Sequence, residues 1–145
     1  MTTSVLSAGG GSQPPQILAS TPEWWVVNKP AGWLTIPGRE SPQAQGASPQ
    51  IVSAWLEEQE RNAPGFSKVW VVHRLDRETS GLLLFAKTAE AHQKANLWFS
   101  KHQVKKIYWV LASGKPLMPI LKIQAPIEGA PSLTQVEVQE RFLNK

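Results

Sequence analysis

A chain of 145 residues that is 41% hydrophobic has room for one domain with a modest core. Its formal net charge of +4 suits a polyanionic partner without demanding one. With no cysteine and three scattered histidines, the sequence excludes disulfides, thiolate chemistry and Cys-ligated zinc, and it offers no metal-ligand spacing.

The N-terminus shows neither a basic region with an apolar core nor a run long enough to span a bilayer, so a cytoplasmic protein without membrane contact is expected. Residues 1–20 form a Gly, Ser, Gln and Pro tract with too little apolar surface to offset the entropy of ordering it. A flexible tail is predicted there, with Ile17 and Leu18 tacking its end to a domain over residues 21–145. Glu23 to Lys29 is β-branched and aromatic and reads as a strand, ended by Pro30 and Gly32. Trp33-Leu34-Thr35-Ile36-Pro37 follows. Of seven tryptophans, most belong in a core, and only Trp33 falls where a loop would expose its ring to a base. After a polar loop, Ser48 as N-cap and Pro49 at the first helical position predict a helix to Arg61 or Asn62. Ile51, Val52, Trp55 and Leu56 give it an apolar face.

Val69 to Val72 and Leu82 to Lys87 read as two strands, the second apolar on both faces and hence buried. Between them stand His73, Arg74, Asp76, Arg77, Glu78, Thr79 and Ser80, ahead of Gly81. A loop that only reversed the chain would be built of Gly, Asn or Pro, so this density of reactive side chains points to a site. Asp76 leaves a buried strand between two guanidinium groups that favour its charged form, and such a carboxylate can serve as nucleophile or base. The competing reading makes Arg74, Asp76, Arg77 and Glu78 a structural ion-pair network closing the turn.

Thr88 caps a predicted helix from Ala89 to about His102, on the spacing of Ala91, Ala95, Trp98 and His102. His92, Lys94, Lys101, His102, Lys105 and Lys106 gather positive charge along it, as a phosphate track or a solvated face. Lys105 to Ala112 is the next expected strand and holds the only tyrosine, Tyr108. Ile120 to Gln124 and Leu133 to Phe142 complete the series.

The run His73-Arg74-Leu75-Asp76, continued by Thr79-Ser80-Gly81-Leu82-Leu83-Leu84, resembles the signature of the RluA-type pseudouridine synthases. Asn28-Lys29-Pro30-Ala31-Gly32 is similar to a second motif of that family, and Lys106 with Tyr108 to a third. The resemblance implies an α+β fold with a mixed, mostly antiparallel sheet and packed helices. It also implies cofactor-free conversion of uridine to pseudouridine in structured RNA, either rRNA or tRNA. Under it, Asp76 is the catalytic carboxylate and Tyr108 lies against the target base. Arg74 fills the space of the flipped base and binds phosphate, with Arg77, Lys29 and Lys106 as further RNA contacts. His73, Thr79 and Ser80 hold the turn by hydrogen bonds, and Gly81 admits close RNA approach. The family's Gly-Arg-x-His-Gln-Ile-Arg segment has no counterpart between Leu133 and Lys145. Residues 21–145 are therefore expected to be the N-terminal portion of a catalytic domain truncated at its C-terminus, with a sheet edge open to self-association. The alternative is a catalytically incomplete fragment that binds RNA or another protein.

Overall fold

A computed structural model describes residues 13–38, 50–66, 68–114, 118–127 and 129–142. Most of the expected tail, and the expected cap Ser48 and first-turn Pro49, lie outside the described residues. The chain divides into two compact units, residues 1–105 and 106–145.

The first unit holds strands β1 (Gln16–Ser20), β2 (Trp24–Lys29), β3 (Trp70–Val71) and β4 (Gly81–Ala86), with helices α1 (Val52–Glu60) and α2 (Ala89–Ser100). The sheet order is β1-β2-β4-β3 and every neighbouring pair is antiparallel, in accord with the expected fold class. The expected tail is corrected at its end, because residues 16–20 form the edge strand β1. Only Ile17 in it is even half-buried. Its order comes from the backbone ladder that β2 offers from Gln16↔Asn28 to Ser20↔Trp25, which composition does not report.

In β2 the side chains alternate, so that Trp25, Val27 and Lys29 are buried while Asn28 is exposed. Register sets Trp25 opposite Phe85, Val27 opposite Leu83 and Lys29 opposite Gly81. Val52 and Leu56 of α1 close on this face to form the core with Trp33, Val69 and Leu75. Burying a side chain such as Phe85 there contributes about 1.5–3 kcal/mol. The other face meets α2, since Trp24, of opposite parity to Trp25, packs on Trp98 at 5.5 Å. The two helices therefore cover opposite faces of the sheet.

Helix α1 starts later than the sequence suggests, at Val52, with Ile51 extended at its N-cap and no side-chain cap. Val52 N and Ser53 N donate instead to the carbonyls of Leu34 and Thr35 at 2.8 and 3.2 Å, so the Trp33–Ile36 segment caps the helix with its backbone. Helix α2 follows its signals closely, with Thr88 Oγ1 accepting from Ala91 N at 3.1 Å. It ends at Ser100, and His102, at φ 53, turns the chain away rather than extending the helix.

Two expectations fail within the sheet. Strand β3 has only two residues, and β4 is not buried on both faces, Leu82 being 61% exposed. On the α2 side, the end of the sheet where Leu82 pairs with the exposed Asn28 is left uncovered.

In the second unit β5 (Ile120–Ile123) and β6 (Thr134–Glu137) form an antiparallel hairpin. No described residue of this unit is buried, and two strands alone have little face to pack. Lys105 to Ala112 forms no strand. Its β-prone residues find no ladder partner among the described residues, and Trp109 is 83% exposed. Trp33, expected in the open, is 7% exposed and part of the core.

Candidate active site

The chain leaves the sheet after Val71 and returns at Gly81. Without a strand neighbour, side chains take over part of the main-chain bonding here. His73 Nε2 accepts the main-chain N–H of Leu84 at 3.1 Å while its ring stacks on Phe99 at 5.1 Å. The imidazole thus stands in for a ladder carbonyl, and this bond requires the tautomer with Nε2 unprotonated. At Leu75 the buried Thr35 hydroxyl donates to the carbonyl at 2.8 Å and accepts from the N–H at 3.1 Å. At Arg77 the carbonyl accepts from Lys29 Nζ at 2.9 Å and from Gly32 N at 2.8 Å. Arg77 Nε returns a bond to Gly32 O at 3.1 Å. Asp76 O accepts from Thr79 N at 3.1 Å. Asp76 therefore sits between two residues whose backbone is tied to the turn after β2, while the residue itself is exposed.

The expected pair of guanidinium neighbours is corrected. Among the described residues neither Arg74 nor Arg77 forms an ion pair with Asp76, and the turn's single bridge joins Arg77 to Glu78 at 3.8 Å. With side chains 64% and 84% exposed, that pair is worth little, so the structural-network reading loses its support. Both carboxylates of the turn act on Lys29. Burial lowers the pKa of Lys29 from 10.5, and the charges of Glu78 and Asp76 oppose that shift.

Lys29 cannot be the RNA contact expected of it. It is fully buried, and its ammonium donates to the carbonyls of Pro30, Trp33 and Arg77 at 3.0, 2.7 and 2.9 Å, leaving no donor for a phosphate. Thr79 serves the turn through its main-chain N–H, and the hydroxyls of Thr79 and Ser80 make no hydrogen bond among the described residues. Gly81 is needed for its backbone, at φ +139, where an added Cβ would meet only Leu75 Cδ1 at 3.8 Å. Gly81→Ala is accordingly expected to cost about 1–3 kcal/mol of backbone strain without crowding, read as a lower urea midpoint. Arg74 is exposed, as are Lys106 and Tyr108 in the second unit.

Thr35, which no motif singles out, supports this turn, and Lys29 supports it in place of the expected RNA contact. Thr35 is a lone hydroxyl at the centre of an apolar run and shares the parity of Trp33, and both are buried. Lys29 continues the inward parity of Trp25 and Val27. Among the described residues, no group of three His, Asp or Glu side chains is placed to hold a metal ion, and no helix is long and apolar enough to cross a membrane.

The turn thus presents two exposed carboxylates, Asp76 and Glu78, with the main chain on either side of Asp76 tied by hydrogen bonds. The sequence profile of the RNA pseudouridylate synthase family matches residues 23–144. The chain belongs to that family. An uncharacterized RNA pseudouridine synthase of Zymomonas mobilis is 44% identical over 66 residues, covering 41% of this chain and 30% of that protein. The tRNA pseudouridine synthase C of Yersinia pestis is 34% identical over 97 residues, covering 61% and 31%. The ribosomal large subunit pseudouridine synthase D of Neisseria meningitidis serogroup B is 33% identical over 137 residues, covering 81% and 34%. The chain thus spans about a third of the length of these relatives.

Proposed function

We infer that this chain isomerises uridine to pseudouridine in structured RNA, with Asp76 as the carboxylate that carries the reaction. The observation behind this is the contrast at one residue: the neighbours of Asp76 are tied by their backbone and Asp76 is open to solvent. A side chain held by its main chain and spared from the fold is pre-organised for a substrate.

The reaction breaks the bond from N1 to C1′, rotates the uracil, joins C5 to C1′, and exchanges a hydrogen at C5 for one at N1. No electrons are gained or lost, so the step needs no redox partner. Reaching the base requires flipping it out of its stack, at a cost of a few kcal/mol that protein contacts must offset. Arg74, exposed two residues before Asp76, is the group to fill the vacated space and meet phosphate. Tyr108, 59% exposed, is available to a base through its ring, a role that rests on the motif. The relatives named for tRNA and for the large ribosomal subunit support rRNA or tRNA as substrate, and the cytoplasm is the place of action that goes with this reading.

The loss of the C5 hydrogen gives a direct assay. Unmodified rRNA and tRNA transcripts carrying tritium at C5 of uridine should release it to water on incubation with the purified chain, and digestion should yield pseudouridine. A folded chain that binds these RNAs in a salt-dependent way yet releases no tritium would overturn the proposal in favour of a binding role.

A further inference from the structure

The geometry points to Thr35 as a positioning residue for this reaction, its hydroxyl setting where Asp76 stands. This rests on the functional reading above and concerns a residue outside the three sequence motifs. Thr35 is 3% exposed, and its one hydroxyl engages both polar main-chain groups of Leu75, donating to the carbonyl at 2.8 Å and accepting from the N–H at 3.1 Å. Leu75 is the residue immediately before Asp76, and its side chain is itself 8% exposed within the core. A β-strand neighbour would normally supply such a pair of bonds, but residues 72–80 have none, and Thr35 supplies them from a side chain.

The clamp also has a fixed base. Thr35 O accepts from Ser53 N at 3.2 Å, and the adjoining Leu34 exchanges bonds with Gln50 and Val52 at 2.9 and 2.8 Å. Thr35 is thereby bound to the start of α1, so its hydroxyl transmits the position of the helix to the turn. On the far side of Asp76, the Arg77 carbonyl is held by Lys29 and Gly32. Lys29 and Gly32 belong to the turn next to Trp33 and Thr35, so one short segment grips Asp76 from both sides. Without the Thr35 hydroxyl the main chain of Leu75 loses both bonds and is held by its buried side chain alone, which gives the carboxylate beside it room to shift. Displacement of a reacting group by about 1 Å costs on the order of 100-fold in rate.

Thr35→Val keeps the branched shape and removes the hydroxyl, while Thr35→Ser keeps the hydroxyl and removes a methyl. Below the unfolding transition, Thr35→Val is expected to lower kcat for tritium release on the order of 100-fold, with KM for RNA within about threefold. Thr35→Ser should stay within about threefold of wild type in both. A role confined to stability would leave kcat of the folded Val variant intact, and that result overturns the proposal.

Amide hydrogen exchange decides the matter independently of turnover. In Thr35→Val, protection at the Leu75 amide, which donates to the Thr35 hydroxyl, should fall at least about tenfold further than at Leu83 and Phe85 in β4, and Thr35→Ser should restore it. An equal fall at all three amides would show that no local clamp exists. Asp76→Asn separates the two claims: if it turns over as wild type does, the functional reading fails, and Leu75 exchange still tests the clamp. If Asp76→Asn is inactive while Thr35→Val is fully active, the inference alone fails.

Discussion

Asp76→Asn is expected to reduce tritium release by at least about 10⁴-fold, the loss typical when a nucleophile or general base is removed. RNA affinity should remain within about threefold of wild type, and stability should fall by less than about 1 kcal/mol. The separation follows from what Asp76 contributes to the fold. Its carbonyl accepts from Thr79 N, which an amide side chain does not disturb. Its carboxylate forms no ion pair among the described residues, the turn's only bridge being Arg77 to Glu78. Asparagine preserves the shape and removes only the charge and basicity. Because its deamidation regenerates aspartate, Asp76→Ala serves as the second variant and should be equally inactive. A loss of more than about 1 kcal/mol of stability in both variants would place the carboxylate in a structural network after all. Arg74→Ala offers the opposite profile, with weaker RNA binding and a shallower salt dependence, because a phosphate contact carries affinity through counterion release.

The sequence made the central strands and α2 legible because their signals are local. Trp25 and Val27 alternate, and Thr88 stands just before the Ala91 and Ala95 face and caps it. The charged turn stood out because reactive side chains replaced the usual turn formers. What stayed hidden depends on partners. Strand β1 is ordered by the ladder of β2 rather than by its own apolar content. Lys105 to Ala112 has strand composition yet no ladder partner among the described residues. Propensity can name a candidate strand, but only tertiary contact pairs it. Ser48 and Pro49 are local start signals for helix α1, whereas its first turn is bonded by the backbone of Leu34 and Thr35, distant in sequence. At the site, Lys29 was hidden by its neighbours: Pro30 and Gly32 mark a turn, and a turn lysine is read as solvated. Its period-two relation to Trp25 and Val27 was the better guide, since it predicts an inward side chain that must then find acceptors.

Lys29→Met is expected to destabilise the chain by about 2–4 kcal/mol, a large effect for a lysine. The wild-type ammonium has already lost its water, and three carbonyls compensate it. Methionine fits the apolar stem but leaves the Trp33 carbonyl buried without this donor and strips one of two donors from Arg77 O. Each unsatisfied group costs about 1–3 kcal/mol, partly offset by no longer burying a charge. Lys94→Met is the control, since Lys94 is 54% exposed and 4.0 Å from Glu23, and a change within about 0.5 kcal/mol is expected there. The pH dependence has a definite sign. Burial lowers the folded pKa of Lys29 from 10.5, so between the folded value and 10.5 the unfolded chain binds more protons than the folded one. Stability from this group is therefore gained as pH rises through that window. The urea midpoint of the wild type should climb relative to Lys29→Met as pH approaches 10.5, and equal slopes for the two proteins would show that Lys29 is not held as a buried cation. Because the same ammonium ties Arg77 O beside Asp76, the folded fraction of Lys29→Met should also turn over more slowly, joining the stability of the turn to its chemistry through one side chain.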